Sequence, residues 1–256
     1  MISSEHIGEV AVLRLDDERS LNALSTAMAV ELRAALGEAA GTSRSIVLTG
    51  AGKGFCSGAN LSGASDLGSG EVDIGAPLRD HYNPLMLAIR DLAVPLVTAV
   101  NGPAAGIGAP LALAGDLVVA ARDSYFLQAF RRIGLVPDGG SAYFLTRTAG
   151  RARAMEMMLL GERIPADTAL AWGMVNRVVD QDQLIDKAVE LAQTLAAGPT
   201  KALLAIRKLC WGAFDDSFEE QLATEADLQT KMGRTRDFRE GITAFREKRP
   251  PAFRGD

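Results

Sequence analysis

An α/β domain followed by a helical tail is the fold class this sequence predicts, on three observations. Short continuous apolar runs recur along the first 121 residues, helical periodicity fills the stretches between them, and beyond about residue 180 the pattern is helical throughout. An apolar run without polar alternation is what a strand covered on both faces requires, and strands alternating with helices build α/β domains. The 256 residues suffice for one large core, since single cores stop growing near about 250 residues. The boundary is set at 195: residues 1–195 form the α/β core and 196–256 the C-terminal helical region.

Taken in order, "EVAVLRL" (9–15) alternates and reads as a half-buried strand. "STAMAVELRAALGEAA" opens a helix on Ser25, whose hydroxyl suits the N-cap. "SIVLTG" (45–50), "LVTAVNG" (96–102) and "LVVAA" (117–121) read as fully buried strands. Between the first two, "LSGASDLGSGEVDIGAP" (61–77) is rich in Gly and Ser and reads as a mobile loop, either a plain surface connection or a lid. "PLRDHYNPLMLAIRDL" carries Leu85, Leu87, Ile89 and Leu92 at helical spacing, with Pro84 marking an interruption or a late start. "DQDQLIDKAVELAQTLAAGP" puts Leu184, Ala188, Leu191, Ala192 and Leu195 on one helical face, and helical patterns continue from 199 to about 247.

Composition excludes several classes of function. Apolar residues are 48% and charged residues 23%, with no run near the roughly 20 apolar residues of a membrane span. The formal charge of −5 and the scattered Lys and Arg argue against a nucleic-acid partner, apart from a modest basic cluster in "FREKRPPAFRGD". "MISSEHIGEVAVLRL" lacks a signal-peptide pattern and "RGD" is no peroxisomal address, so a cytoplasmic location is expected. With Cys56 and Cys210 alone, and His6 and His81 in unrelated contexts, neither a metal site nor Cys-His chemistry is expected.

Four glycine-containing stretches remain to be explained. "GAGKG" (50–54) lacks the P-loop spacing and the Ser or Thr that holds magnesium, Gly106-Ile107-Gly108 runs into Leu111 where a dinucleotide fingerprint needs a small residue, and Ser57 lacks the Gly-x-Ser-x-Gly frame. "GFCSGANL" (54–61) and "NGPAAGIGAPL" (101–111) each follow a buried strand. They are either two tight turns or two places where bare amides meet an oxyanion. In "IGLVPDGGSAYF" (133–144), Asp138 precedes a helix and is either its cap or a general base. Cys56 reads as a small packed hydrophobe.

These stretches, with "LNALS" (21–25), "AVNGPAAGIGAPLALAGDLVVAA", "ALAWGMVNRVV" (169–179) and "FREKRPPAF", resemble the crotonase superfamily of enoyl-CoA hydratases and isomerases, in the family's order and along nearly the whole chain. The resemblance implies a spiral of ββα units with a C-terminal trimerisation region, and a homotrimer or homohexamer. It implies an acyl-CoA thioester as substrate, coenzyme A entering only as part of it, and an oxyanion hole made by the N–H groups of Ala59 and Ile107. Backbone contacts to the CoA moiety are implied around Ala23 and at Asn60 and Leu61, with Lys248 at its phosphates.

Hydratases of this superfamily carry glutamates at the positions held here by Pro110 and Phe130, which can neither take a proton nor orient water. The isomerase branches place a single carboxylate after "GL", and Asp138 in "GLVPDGG" matches it; "YNPL" (82–85), "FLQAFRRIGLVPDGG" and "GRARAMEMMLLG" look like the ring-epoxide isomerases of phenylacetate metabolism and the related 3-enoyl to 2-enoyl-CoA isomerases. One acid then moves a proton from carbon 2 to carbon 4, with Phe126, Phe130 and Tyr143 expected to keep water from the acyl group and burial expected to raise the Asp138 pKa above about 3.9. The alternatives are hydration, thioester hydrolysis or carbon-carbon cleavage on the same hole, and a CoA-binding protein without catalysis.

Overall fold

The computed structural model describes residues 1–60 and 73–256. Leu61 and most of the 61–77 loop lie outside the described residues.

A six-stranded sheet forms the centre. The hairpin β1 (Ile2–Ile7) and β2 (Val10–Leu15) is antiparallel, and β3 (Ser45–Gly50), β4 (Leu96–Val100), β6 (Leu117–Ala121) and β9 (Arg177–Val179) continue from β2 in parallel. A second sheet of three short strands, β5 (Pro103–Ala105), β7 (Tyr125–Leu127) and β8 (Arg163–Pro165), lies apart from the first in the ladder. The chain winds from the large sheet to the small one and on into a helix: β4, β5, α3 (Gly108–Leu113), then β6, β7 and α4 (Ser141–Thr148). Cys56, after β3, bridges Ala104 in β5, so the preceding turn joins the same ladder. This winding agrees with the spiral that the resemblance implies.

Helices cover both faces of the large sheet. One face carries α1 (Thr26–Thr42) and α2 (Asn83–Arg90) over Leu13, Leu15, Ile46, Leu48 and Leu96. On the other, α7 (Leu184–Ala196) lays Leu184, Ala188, Val189, Ala192 and Ala196 against Val10, Val12, Val47 and Val97. Strand β2 is therefore buried on both faces, which corrects the half-buried reading: the layer over Val10 and Val12 arrives from α7, far along the chain, and local alternation does not reveal it. Strand β1 gave no apolar signal because most of its residues face solvent.

Local chemistry sets the helix starts. Ser25 Oγ accepts from the Met28 N–H at 3.1 Å, capping α1. Pro84 falls in the first turn of α2, and the preceding Leu78–Tyr82 turn is π-helical, the Asn83 N–H reaching back five residues to the Leu78 carbonyl. This is the interruption that the proline signals.

Helices α5 (Arg151–Leu160) and α6 (Ala166–Ala171) complete the core, and α8 (Thr200–Gly212), α9 (Phe218–Met232) and α10 (Arg236–Glu247) form the tail. Helix α9 buries none of its residues, while Ile206, Leu222, Phe238 and Ile242 are exposed around a groove of about 730 Å³ between the three helices. Among the described residues, no helix is long and apolar enough to cross a membrane.

Candidate active site

Two turns meet where the chain leaves the large sheet. Gly58 (φ +115°) and Gly106 (φ +52°) stand against each other, and a Cβ built on Gly106 would lie 3.5 Å from the Gly58 Cα. The Phe55 and Cys56 N–H groups both donate to the Pro103 carbonyl, at 3.2 and 3.0 Å, and the Ala105 N–H returns to the Cys56 carbonyl at 2.9 Å. Backbone pairing thus fixes one turn on the other. Beyond it, the Ala59 and Ile107 N–H groups find no acceptor among the described residues. Ile107 is fully buried, and a buried amide without an acceptor is costly unless a ligand supplies one.

Each of these two amides is held in place by its neighbours. Gly58 accepts from the Leu24 N–H at 2.7 Å and the Asn60 N–H donates to the Leu24 carbonyl at 3.0 Å, bracketing Ala59. The Gly106 N–H donates to the Leu127 carbonyl at 2.9 Å, anchoring the second turn to β7.

The Asp138 turn closes onto the second turn. A Cβ on Gly139 (φ +58°) would stand 2.7 Å from Ile107 Cγ1 and 3.1 Å from Pro110 Cγ, so glycine is required both by the left-handed backbone and by the close approach. Ser141 donates from both N–H (2.9 Å) and Oγ (2.7 Å) to the Asp138 main-chain carbonyl. The Asp138 side chain caps no helix: Gly140 holds the cap position of α4 without a side-chain bond. Its Oδ1 is buried without a protein partner among the described residues, and burial pushes the carboxyl up from 3.8 to about 6. Desolvation outweighs the lowering effect of its own backbone N–H. A carboxylate with a pKa of about 6, on a turn packed against Ile107, can take and return a proton on a group whose developing charge nearby backbone amides stabilise.

The other expected residues fall in different surroundings. Phe130 lies over the second turn, its Cζ 3.6 Å from the Cβ position of Gly106, and Phe126 is fully buried in β7. Tyr143 stacks on Trp211 at 5.5 Å, lies under the Arg147 guanidinium at 3.5 Å and shares its hydroxyl between the Trp211 carbonyl and Asp215. Its contacts join α4 to α8, and none among the described residues ties it to Asp138. The Ala23 N–H donates to Ser20 Oγ at 3.0 Å, whereas the Ala23 carbonyl accepts nothing from the described residues. Lys248 is exposed in the left-handed residue that ends α10 (φ +55°). Burial pushes the Cys56 thiol to about 11, leaving it protonated and unreactive at neutral pH.

Three supporting residues escaped sequence reasoning. Asn22, fully buried at φ +59°, donates from Nδ2 to the Ala51 and Gly54 carbonyls and accepts the Asp17 N–H. Asn101 binds the Gly50 N–H and the Gly52 carbonyl, so two amides staple the start of the first turn. Tyr82, buried at the end of the π-helical turn, donates to the Leu24 carbonyl at 2.8 Å. Burial pushes its phenol up, and the Asp138 charge adds to the push, which places both in one electrostatic neighbourhood. The usable signals were Asn101 at the head of the second glycine turn and the pairing of Tyr82 with a helix-interrupting proline; Asn22, 32 residues from Gly54, gave none.

The enoyl-CoA hydratase/isomerase family model matches residues 5–256. A 1,2-epoxyphenylacetyl-CoA isomerase of Escherichia coli (strain K12) is 43% identical over 249 residues, 96% of this chain and 95% of that protein. A probable enoyl-CoA hydratase of Rhodobacter capsulatus is 45% identical over 246 residues, again 96% and 95%. The crystal structure of a putative enoyl-CoA hydratase/isomerase from Mycobacterium abscessus superposes with a TM-score of 0.91 at 35% identity, covering 100% of both chains.

Proposed function

The chain belongs to the enoyl-CoA hydratase/isomerase family, and from that premise we propose that it is an acyl-CoA isomerase working through a thioester enolate with Asp138 as its one acid-base group. The observation that carries this reading is the position of Asp138: its turn packs on Ile107 and Pro110, and burial has brought its carboxyl into the range of a neutral-pH base. Pro110, where hydratases carry a glutamate, is itself buried against that turn.

In a 3-enoyl thioester the carbonyl acidifies the hydrogens on carbon 2. Asp138 takes one of them, the C–H electron pair passes into a dienolate, and the negative charge settles on the thioester oxygen between the Ala59 and Ile107 amides. The protonated carboxyl then returns the same proton at carbon 4, the double bond moves to carbon 2, and the enzyme is regenerated with no other reactant. Each amide contributes on the order of 3 kcal/mol where that charge develops. Phe130, over the second turn, keeps water from the enolate. A ring-borne substrate is the second reading, supported by the 43% identity with the epoxyphenylacetyl-CoA isomerase. The exposed apolar groove of α8 to α10 supports a trimer or hexamer.

The test is direct: 3-hexenoyl-CoA and crotonyl-CoA are incubated separately with the protein and the products weighed. The isomerase reading expects a 2-enoyl product of unchanged mass from the first and no mass gain of water from the second. Rapid hydration of crotonyl-CoA would overturn it in favour of the hydratase reading, which the Rhodobacter relative's description represents.

A further inference from the structure

We propose that Gln128 is a positioning residue that holds the oxyanion peptide and the turn of the base together through a single amide group. The proposal rests on reading Ile107 as an oxyanion donor and Asp138 as the base. Gln128 follows β7 and is fully buried. Its Nε2 donates to the Gly106 carbonyl at 3.1 Å and to Ser141 Oγ at 3.0 Å.

The Gly106 carbonyl and the Ile107 N–H are two ends of one planar peptide unit. Gln128 joins the Ala109 N–H, which donates to the same carbonyl at 3.1 Å, and adds a second donor that holds the plane in which the Ile107 N–H lies and polarises the unit so that its N–H becomes a stronger donor. The second arm reaches the base. Ser141 Oγ gives its only proton to the Asp138 carbonyl at 2.7 Å, so it meets Gln128 with a lone pair, and the two Nε2 hydrogens are both used. One side-chain amide thus spans from the peptide that holds the enolate to the turn that presents the carboxylate.

The remaining atom of the amide shows that packing alone does not explain Gln128. Its Oε1 is buried with no protein partner among the described residues. A methionine or leucine would fill a buried site without a stranded acceptor, so glutamine contributes here through its NH₂ group.

The experiment compares Gln128→Met, Ser141→Ala, Ser141→Thr and the double variant Gln128→Met/Ser141→Ala. One readout is the absorbance of bound cinnamoyl-CoA, whose band moves to longer wavelength as its carbonyl is polarised; the other is kcat and KM for isomerisation of 3-hexenoyl-CoA. Gln128→Met is expected to lose at least half of the spectral shift and to lower kcat by roughly 10-fold or more with KM little changed, part of the ~10²–10³-fold that removal of an oxyanion donor costs. Ser141→Ala is expected to keep the spectral shift and lower kcat, Ser141→Thr to restore it, and the double variant to fall no further than Gln128→Met. A Gln128→Met protein with the full shift and unchanged kcat overturns the proposal alone. A wild-type protein with no shift overturns the reading of the hole and this proposal with it. Should Gln128→Met fail to fold, equal kcat in Ser141→Ala and wild type overturns the proposal.

Discussion

The glycine turns and the helical tail are incomplete in opposite ways. Around Gly58 and Gly106 backbone pairing ties the two turns together, yet among the described residues the Ala59 and Ile107 N–H groups and Asp138 Oδ1 have no protein partner. The tail of α8 to α10 carries caps and ion pairs, among them the Ser217–Glu220 capping box and the Arg249–Glu240 bridge, while Leu222, Phe238 and Ile242 stay exposed. Unmet hydrogen-bonding groups in a buried turn call for a polar ligand, and unmet apolar faces on helices call for another protein surface. On the proposed function the two regions suit two different occupants, a thioester at the turns and a second copy of the chain at the tail.

Substitutions can break either half of this contrast. Asp138→Asn should have the largest effect, lowering isomerisation about 10³-fold, within the range for loss of a general base, while bound cinnamoyl-CoA keeps its spectral shift. If the rate is unchanged, Asp138 is not the base. Leu222→Asp should act on the tail alone: burying an unpaired carboxylate in an interface costs about 3 kcal/mol per site, so sedimentation velocity should show smaller species. An unaltered sedimentation coefficient would place the interface elsewhere.

Gly139→Ala comes next in size, below both. A left-handed alanine costs about 1–2 kcal/mol, and its Cβ would press on Ile107 as well, so chemical denaturation should show about 2 kcal/mol of lost stability together with reduced turnover. Acid sharpens the picture of the site. Asp138 must be ionised to act as a base, so kcat/KM should fall about tenfold per pH unit below about 6. Stability moves the other way: a carboxyl whose folded pKa is raised favours the fold most when protonated, and that contribution is lost as pH rises from 3.8 through about 6. Asp138→Asn should therefore melt higher than wild type at pH 7.5 and no higher near pH 3. The smallest effect belongs to the tail, where Ser217→Ala removes one side of a capping box and should cost about 1 kcal/mol in thermal unfolding without changing turnover.

How much of this was legible in the sequence depended on the range of the interactions involved. The Ser25 cap, the interruption at Pro84 and the buried strands were readable because their causes lie within a few residues. The second buried face of β2 was not, since α7 supplies it from more than 170 residues away. Nor was the small sheet, whose three-residue strands are too short to establish a period. At the site, Ala59, Ile107 and Asp138 came from family-specific spacing, and for Asp138 spacing alone could not separate a base from a cap. The Gly140 cap position of α4 removes the cap reading, and the buried Oδ1 supports the proposed base. Tyr143, a plausible aromatic on sequence grounds, was drawn into the stack with Trp211 by a helix that the local sequence does not reveal.

The division of labour between main chain and side chain has an evolutionary consequence. The proposed Ala59 and Ile107 donors are backbone atoms, so among the twenty residues only proline at those positions would delete one outright. The proposed proton carrier is a side chain, exposed to a single codon change. A chain built this way can keep its grip on thioesters through long mutational histories while the reaction performed on them is exchanged, one carboxylate at a time.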